Sequence, residues 1–219
     1  VEEMSVEESE SGGYILTREG RLEATLISDR KRHRILRVPG GLVAKIVKGS
    51  HEARQRGMPK GQRTDVRLAL TRSRFTSRWL ARHPHPGLLR VHERVTDENG
   101  DEGFLCEELL FCRFRGEGES VMHPRRLDRP PFRTVREFLE HAIRLCEAVS
   151  VLHDKGKVHG DLTPSNVGWR GSQPVVIDYE SVVRRGQLMR LCMQDYLQGT
   201  ISCTPGCCSP EHLCREGLF

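Results

Sequence analysis

No apolar run in this chain of 219 residues reaches the roughly 18 residues that a membrane-spanning helix needs, so no membrane partner is expected. The N-terminus, Val1-Glu2-Glu3-Met4, is acidic and lacks the pattern of a secretory signal peptide. Position 1 lacks an initiator methionine, and the expectation is a processed chain or a fragment. The eight cysteines have no regular framework spacing. That excludes a disulfide scaffold and points to reduced thiols in a cytoplasmic or nuclear protein. There is no internal repeat, which excludes a repeat array. A formal net charge of +5 lies within the range of an ordinary soluble enzyme.

What is present divides into a β-rich half and a helical half. Residues 1–13 are acidic and rich in serine and glycine, and are expected to be a disordered tail. Weak alternation over residues 14–36 predicts two or three strands, and Leu42–Val47 predicts a further one, entered from Gly40-Gly41. Residues 65–82 read as a helix ended by His83-Pro84. Residues 88–95 and 103–111 read as a hairpin around Asp97-Glu98-Asn99-Gly100-Asp101. Residues 113–133 are a basic, proline-rich connection. Thr134 and Glu137 then form a capping box, followed by the stripe Val135, Phe138, Leu139, Ala142, Ile143, Cys146, Val149 and Leu152.

The chemistry concentrates in residues 158–178. His159-Gly160-Asp161-Leu162 carries an asparagine, Asn166, five residues after the aspartate, and Asp178 follows the apolar run Val175-Val176-Ile177. Phosphoryl transfer from ATP needs an acceptor for the substrate hydroxyl proton and oxygen ligands for Mg2+ from more than one segment. Asp161 suits the first task, and Asn166 with Asp178 suits the second.

In these motifs the chain resembles the eukaryotic-type protein kinases, whose catalytic loop reads H-R-D-L-x-x-x-N and whose magnesium loop reads D-F-G. The resemblance implies an α+β, two-lobed fold: an N-lobe over 14–112 and an incomplete helical C-lobe over 113–219, with ATP between them. It further implies that Lys45, in Val43-Ala44-Lys45, contacts the phosphates. The backbone around Glu108, in Phe104-Leu105-Cys106-Glu107-Glu108-Leu109, would bind adenine. Gly199-Thr200 and Thr204-Pro205-Gly206 through Ser209-Pro210-Glu211 resemble the family's shelf for a polypeptide substrate. The implied activity is Ser/Thr-type protein phosphorylation with ATP and Mg2+. The loop His159-Gly160-Asp161-Leu162-Thr163 also resembles that of the small kinase of the KEOPS tRNA-modification complex.

Several features depart from the family. No G-x-G-x-x-G precedes Lys45, and no helix glutamate is available to pair with it: between Lys45 and His85 the acids are Glu52 and Asp65. Gly160 stands where the family has an arginine, so activation by phosphorylation of Thr200, Ser202 or Thr204 is not expected. Asp178-Tyr179-Glu180 resembles the equivalent segment of choline-kinase and aminoglycoside-phosphotransferase relatives. The chain stops eight residues after Glu211, so the helical half is expected to expose apolar surface. Alternatives are a pseudokinase scaffold or a small-molecule phosphotransferase.

Residues 52–82 hold nine Lys/Arg against two acids, but a solvated helix face accounts for them and no nucleic-acid partner is expected. Cys203, Cys207, Cys208, His212 and Cys214 lack paired C-x2-C spacing, and no zinc is expected.

Overall fold

The computed structural model describes residues 12–30, 32–55, 58–112, 126–127 and 132–184. Six antiparallel strands form its N-terminal part: β1 (Gly12–Leu16), β2 (Arg21–Asp29), β3 (His33–Val38), β4 (Leu42–Val47), β5 (Val91–Asp97) and β6 (Glu102–Glu107). They close into a barrel in the order β1-β2-β3-β4-β6-β5. The two-lobed, protein-kinase-like α+β fold expected from the motifs is therefore corrected: the described residues form a closed six-stranded barrel with few helices. The physical reason lies in β1. It pairs along its length with β2 and, through Ile15 and Leu16, with Asp97 and Thr96 of β5. Gly12 and Gly13, read from composition as part of a tail, are its first two residues. Pairing both edges leaves no open strand.

Strand alternation fills the barrel. Ile15, Ala24, Leu36, Val38, Ala44, Ile46, Val95 and Leu105 form its buried core. Gly103 is required where β6 crosses β4, because a Cβ there would lie 2.1 Å from the carbonyl oxygen of Lys45.

The β5–β6 turn does more than reverse the chain. Asp101 accepts hydrogen bonds from the backbone N–H groups of Gly49 and His51, both at 2.9 Å. It thereby caps α1 (Ser50–Gln55). Arg34 pairs with Asp97 at 2.7 Å and Asp101 at 2.8 Å. Glu102 on β6 gathers Arg54 of α1, Arg74 of α2 and Arg94 of β5, joining both helices to the barrel.

Helix α2 spans Lys60–Arg82. It begins five residues before the predicted start, straight after its N-cap residue Pro59. Asp65 is thus an exposed residue of the second turn rather than of the first. Val66, Ala69 and Leu70 pack on Val47 of the barrel. Part of the helix's arginine content is engaged within the chain: Arg63 donates to Met58 O, Arg67 to Ala53 O and Arg74 to Glu102.

The capping box forms as the sequence predicts. Glu137 N–H donates to Thr134 Oγ1 at 3.1 Å and Thr134 N–H to Glu137 Oε2 at 3.1 Å. Helix α3 (Val135–Asp154) follows. Its inner face places Ala148 and Leu152 against Leu80, Leu88, Val176 and Tyr179. Val135, Phe138, Leu139 and Ile143 lie on its outer, exposed face among the described residues. After it come the hairpin Val167–Arg170 with Gln173–Val176, and the short pair Lys157–Val158 with Val183–Arg184. The hairpin joins the rest through bridges Leu88↔Val176 and Leu110↔Trp169. The substrate-shelf segment ending at Glu211, the phosphorylation candidates Thr200, Ser202 and Thr204, and the cysteine cluster 203–214 lie outside the described residues.

Candidate functional site

Lys45 is placed by strand periodicity. Its neighbours Ala44 and Ile46 are fully buried inside the barrel, so Lys45 leaves the opposite face of β4. There it meets carboxylates from the segment after Val176. Lys45 Nζ lies 3.1 Å from Asp178 Oδ1 and 2.5 Å from Glu180 Oε1. Burial alone would lower the lysine's pKa, but Asp178 and Glu180 together raise it, so the ammonium stays charged. Burial works against Glu180's charge as well, and Lys45 and His33 overcome it, holding the carboxyl below its ordinary range. His33 Nε2 lies 3.3 Å from Glu180. Burial, then the charge of Lys45, lowers its pKa to about 4, so this ring is neutral near pH 7.

No helix glutamate supplies the lysine's partner. The residues of α2 that line the cavity are Ser73 and Thr76, and Glu180 carries the charge instead. Lys45 is thus paired by Asp178 and Glu180 of the segment after Val176. Sequence reading took Glu180 as a departure from D-F-G and gave it no partner. Its position two residues after Asp178 was the available signal.

Asp178 has φ 58° and ψ 67°, and it is the one non-glycine residue with positive φ among the described residues. Aspartate tolerates this left-handed conformation better than most side chains, and such outliers gather at functional sites.

The loop holding Asp161 and Asn166 is tied to the same segment. Ile177 N–H donates to Asn166 O at 3.0 Å. His159 Nε2 lies 2.9 Å from Ile177 O. A carbonyl only accepts, so Nε2 carries the hydrogen. Nδ1 is then the acceptor facing Asp161 N–H at 3.4 Å. Burial lowers the His159 pKa, which suits this single-tautomer, neutral role. Asn166 Nδ2 donates to Asp161 O at 2.8 Å and to Asp161 Oδ2 at 3.1 Å. Its amide nitrogen thus turns toward Asp161, leaving Oδ1 as an oxygen ligand.

Gly160, one residue before Asp161, has φ +80°, and a Cβ there would sit 2.4 Å from the carbonyl oxygen of Ser181. Glycine at position 160 is therefore a packing requirement of the loop.

His33, Lys45, Asn166, Asp178 and Glu180 border one cavity of about 310 Å³. Lys45, Asn166, Asp178 and Glu180 form a polar end; Val43, Leu89, Phe104, Cys106 and Leu109 supply apolar wall. The Cys106 thiol is buried, which pushes its pKa up to about 12 and leaves it neutral. Glu108 also borders the cavity. Its backbone N–H donates to Gly41 O at 2.8 Å, and its carboxylate accepts from Arg37 Nε at 3.0 Å. Of the residues proposed from sequence, Lys45, Glu108, Asn166 and Asp178 share this cavity, and Asp161 joins them through Asn166. Sequence reading missed Arg30 and His33, which also line it.

No family model matches the chain. Over 49 residues it is 47% identical to a probable bifunctional tRNA threonylcarbamoyladenosine biosynthesis protein of Methanothermobacter thermautotrophicus. That stretch is 22% of this chain and 9% of the archaeal protein, so the chain spans a small part of that relative.

Proposed function

We propose that this chain is an ATP-dependent phosphotransferase acting on a serine or threonine hydroxyl of a protein. One observation carries the reading: Lys45, Asp178 and Asn166 meet at the polar end of a cavity whose remaining wall is apolar. A nucleotide needs such a division, with a flat apolar slot for the base and fixed charges for the phosphates. The partial similarity to a protein named for tRNA threonylcarbamoyladenosine biosynthesis supports it. It agrees with the likeness of the His159–Asn166 loop to the KEOPS small kinase. The protein acceptor is supported by the residues from Gly199 to Glu211.

The donor set suits Mg2+, which commonly binds through one or two protein groups plus phosphate oxygens and water. Asp178 offers a carboxylate from one segment and Asn166 an amide oxygen from another, on the same cavity. When bound, the ion would neutralise phosphate charge and orient the triphosphate. Lys45, kept charged by two carboxylates, attracts the phosphates. Asp161 receives the acceptor's proton, and Asn166 holds that carboxylate in place through its amide N–H. His159 fixes the backbone of this loop to Ile177, next to Asp178.

Titration of the folded chain with ATP, in Mg2+ and in EDTA, tests the reading. Binding is expected in Mg2+ and is expected to weaken markedly in EDTA. Absence of binding in both conditions would contradict it.

A further inference from the structure

We propose that the arginine cluster around Glu102, formed by Arg54, Arg74, Arg78 and Arg94, is an anion-binding site outside the cavity. Its ligand is a phosphate dianion, free or carried on a side chain. The inference does not rest on the reading of the cavity as a nucleotide site.

Three elements deliver guanidinium groups to one carboxylate. Glu102, buried on β6, meets Arg54 of α1, Arg74 Nη2 of α2 at 2.7 Å and Arg94 Nη2 of β5 at 2.7 Å. Arg78 is exposed, one turn on from Arg74 and on the same face of α2. Ser73 and Thr76 turn a different face of that helix to the cavity, and none of the four arginines lines it. The side chains of Arg54, Arg74 and Arg94 are 40%, 38% and 44% exposed, so a small anion can reach the cluster from solvent.

One carboxylate does not balance this charge. Among the described residues the other nearby acids are engaged or point away. Asp97 and Asp101 share Arg34. Glu93 accepts from Arg18 N–H, and the Glu98 carboxylate lies against Gly13 of β1. Glu52 is two residues before Arg54 on α1 and so on another face. Asp65 lies more than two turns before Arg74 on α2. Arg34, Arg54, Arg74, Arg78 and Arg94 against Asp97, Asp101 and Glu102 leave two positive charges in surplus. Burial, then the charges of Arg94, Arg54 and Arg78, lower the Arg74 pKa, as crowded guanidinium groups require. A joint between helices and barrel needs no such surplus, since Arg54 and Arg74 already tie α1 and α2 to Glu102. A dianion cancels it. The planar guanidinium fork matches two phosphate oxygens at once, and Arg94 reaches Glu102 through Nη2 alone, which leaves N–H groups for a second acceptor. Convergence on one point favours a terminal phosphate, with its charge on three oxygens, over a nucleic-acid backbone, whose single charges are spread along the strand.

Titration of the full chain with inorganic phosphate, N-acetyl-phosphoserine amide and a uridine dinucleotide, at fixed ionic strength and followed by heteronuclear NMR, tests the site. Both dianions should give saturable shifts at the amides of Arg74, Arg78 and Arg94. The dinucleotide, with a single charge, should bind at least about tenfold more weakly. Arg94→Ala should weaken phosphate by about tenfold, as expected for loss of a charge-assisted bond. Arg78→Ala, at an exposed position with little bearing on folding, should weaken it by about threefold. Phosphoserine amide bound at least as tightly as phosphate identifies a phosphorylated side chain as the source, and a preference for phosphate identifies the free anion; both uphold the site. No saturable shift at these arginines, shifts confined to the cavity around Lys45, equal affinity for the dinucleotide, or unchanged phosphate affinity in folded Arg78→Ala or Arg94→Ala would each overturn it.

Discussion

Gly160→Ala is expected to destabilise the chain through two separable effects. Gly160 has φ +80°, a region that costs an L-residue roughly 1–2 kcal/mol. The added Cβ would also stand 2.4 Å from Ser181 O and 3.3 Å from Ser181 C. Both are backbone atoms, so relief needs a chain shift, and overpacking of this kind costs typically about 1–3 kcal/mol. The sum is about 2–5 kcal/mol, or about 2–4 °C of melting temperature for each kcal/mol at this chain length. Gly156→Ala is the control. Gly156 has φ +65° with nothing within 4 Å of its Cβ position, so the backbone cost stands alone at about 1–2 kcal/mol. Urea unfolding of wild type and both variants measures the difference. Equal losses at the two positions would refute the argument that the catalytic-type loop is pressed against the chain after Asp178.

Glu180→Gln leaves Lys45 with Asp178 at 3.1 Å. Removing one of two partners of a half-buried ammonium is expected to cost about 1–2 kcal/mol, read as a lower melting temperature; an unchanged one would show that Asp178 alone suffices. His33 gives a pH dependence. Its folded pKa of about 4 lies below the ordinary 6.5, so the unfolded chain binds the proton more readily. The associated stability is full above about pH 6.5 and is lost as pH falls toward 4, by roughly 2–3 kcal/mol. Denaturant midpoints at pH 7.5 and 4.5 should therefore fall further in wild type than in His33→Gln, and parallel curves would contradict the assignment.

Local signals in the sequence led to local structure. The Thr134–Glu137 box set the start of α3, and Leu42–Val47 was legible as the strand that carries Lys45. The Asp161, Asn166 and Asp178 constellation was legible because its spacing is short and its residue types are demanding. Closure of the barrel was not legible. It depends on Ile15 and Leu16 meeting Asp97 and Thr96, a pairing across some eighty residues that begins in a segment whose glycines and serines resemble a tail. The partner of Lys45 was sought on a helix, where spacing arguments work. It came instead from Glu180, brought back by the left-handed turn at Asp178. Arg30 was hidden for the same reason: a basic turn has no periodicity, and only the fold brings it over the cavity.

The proposed reaction is transfer of the γ-phosphate of ATP in this cavity, with Asp161 as proton acceptor held by Asn166 at 3.1 Å. The most direct measurement is ATP turnover in Mg2+ by wild type and Asp161→Asn, with ATP affinity measured on the same samples. Turnover is expected in wild type, with a loss of at least about a hundredfold in Asp161→Asn, the lower range for a general base, and ATP affinity retained. Full turnover in Asp161→Asn, or no turnover by wild type that binds ATP, would contradict it.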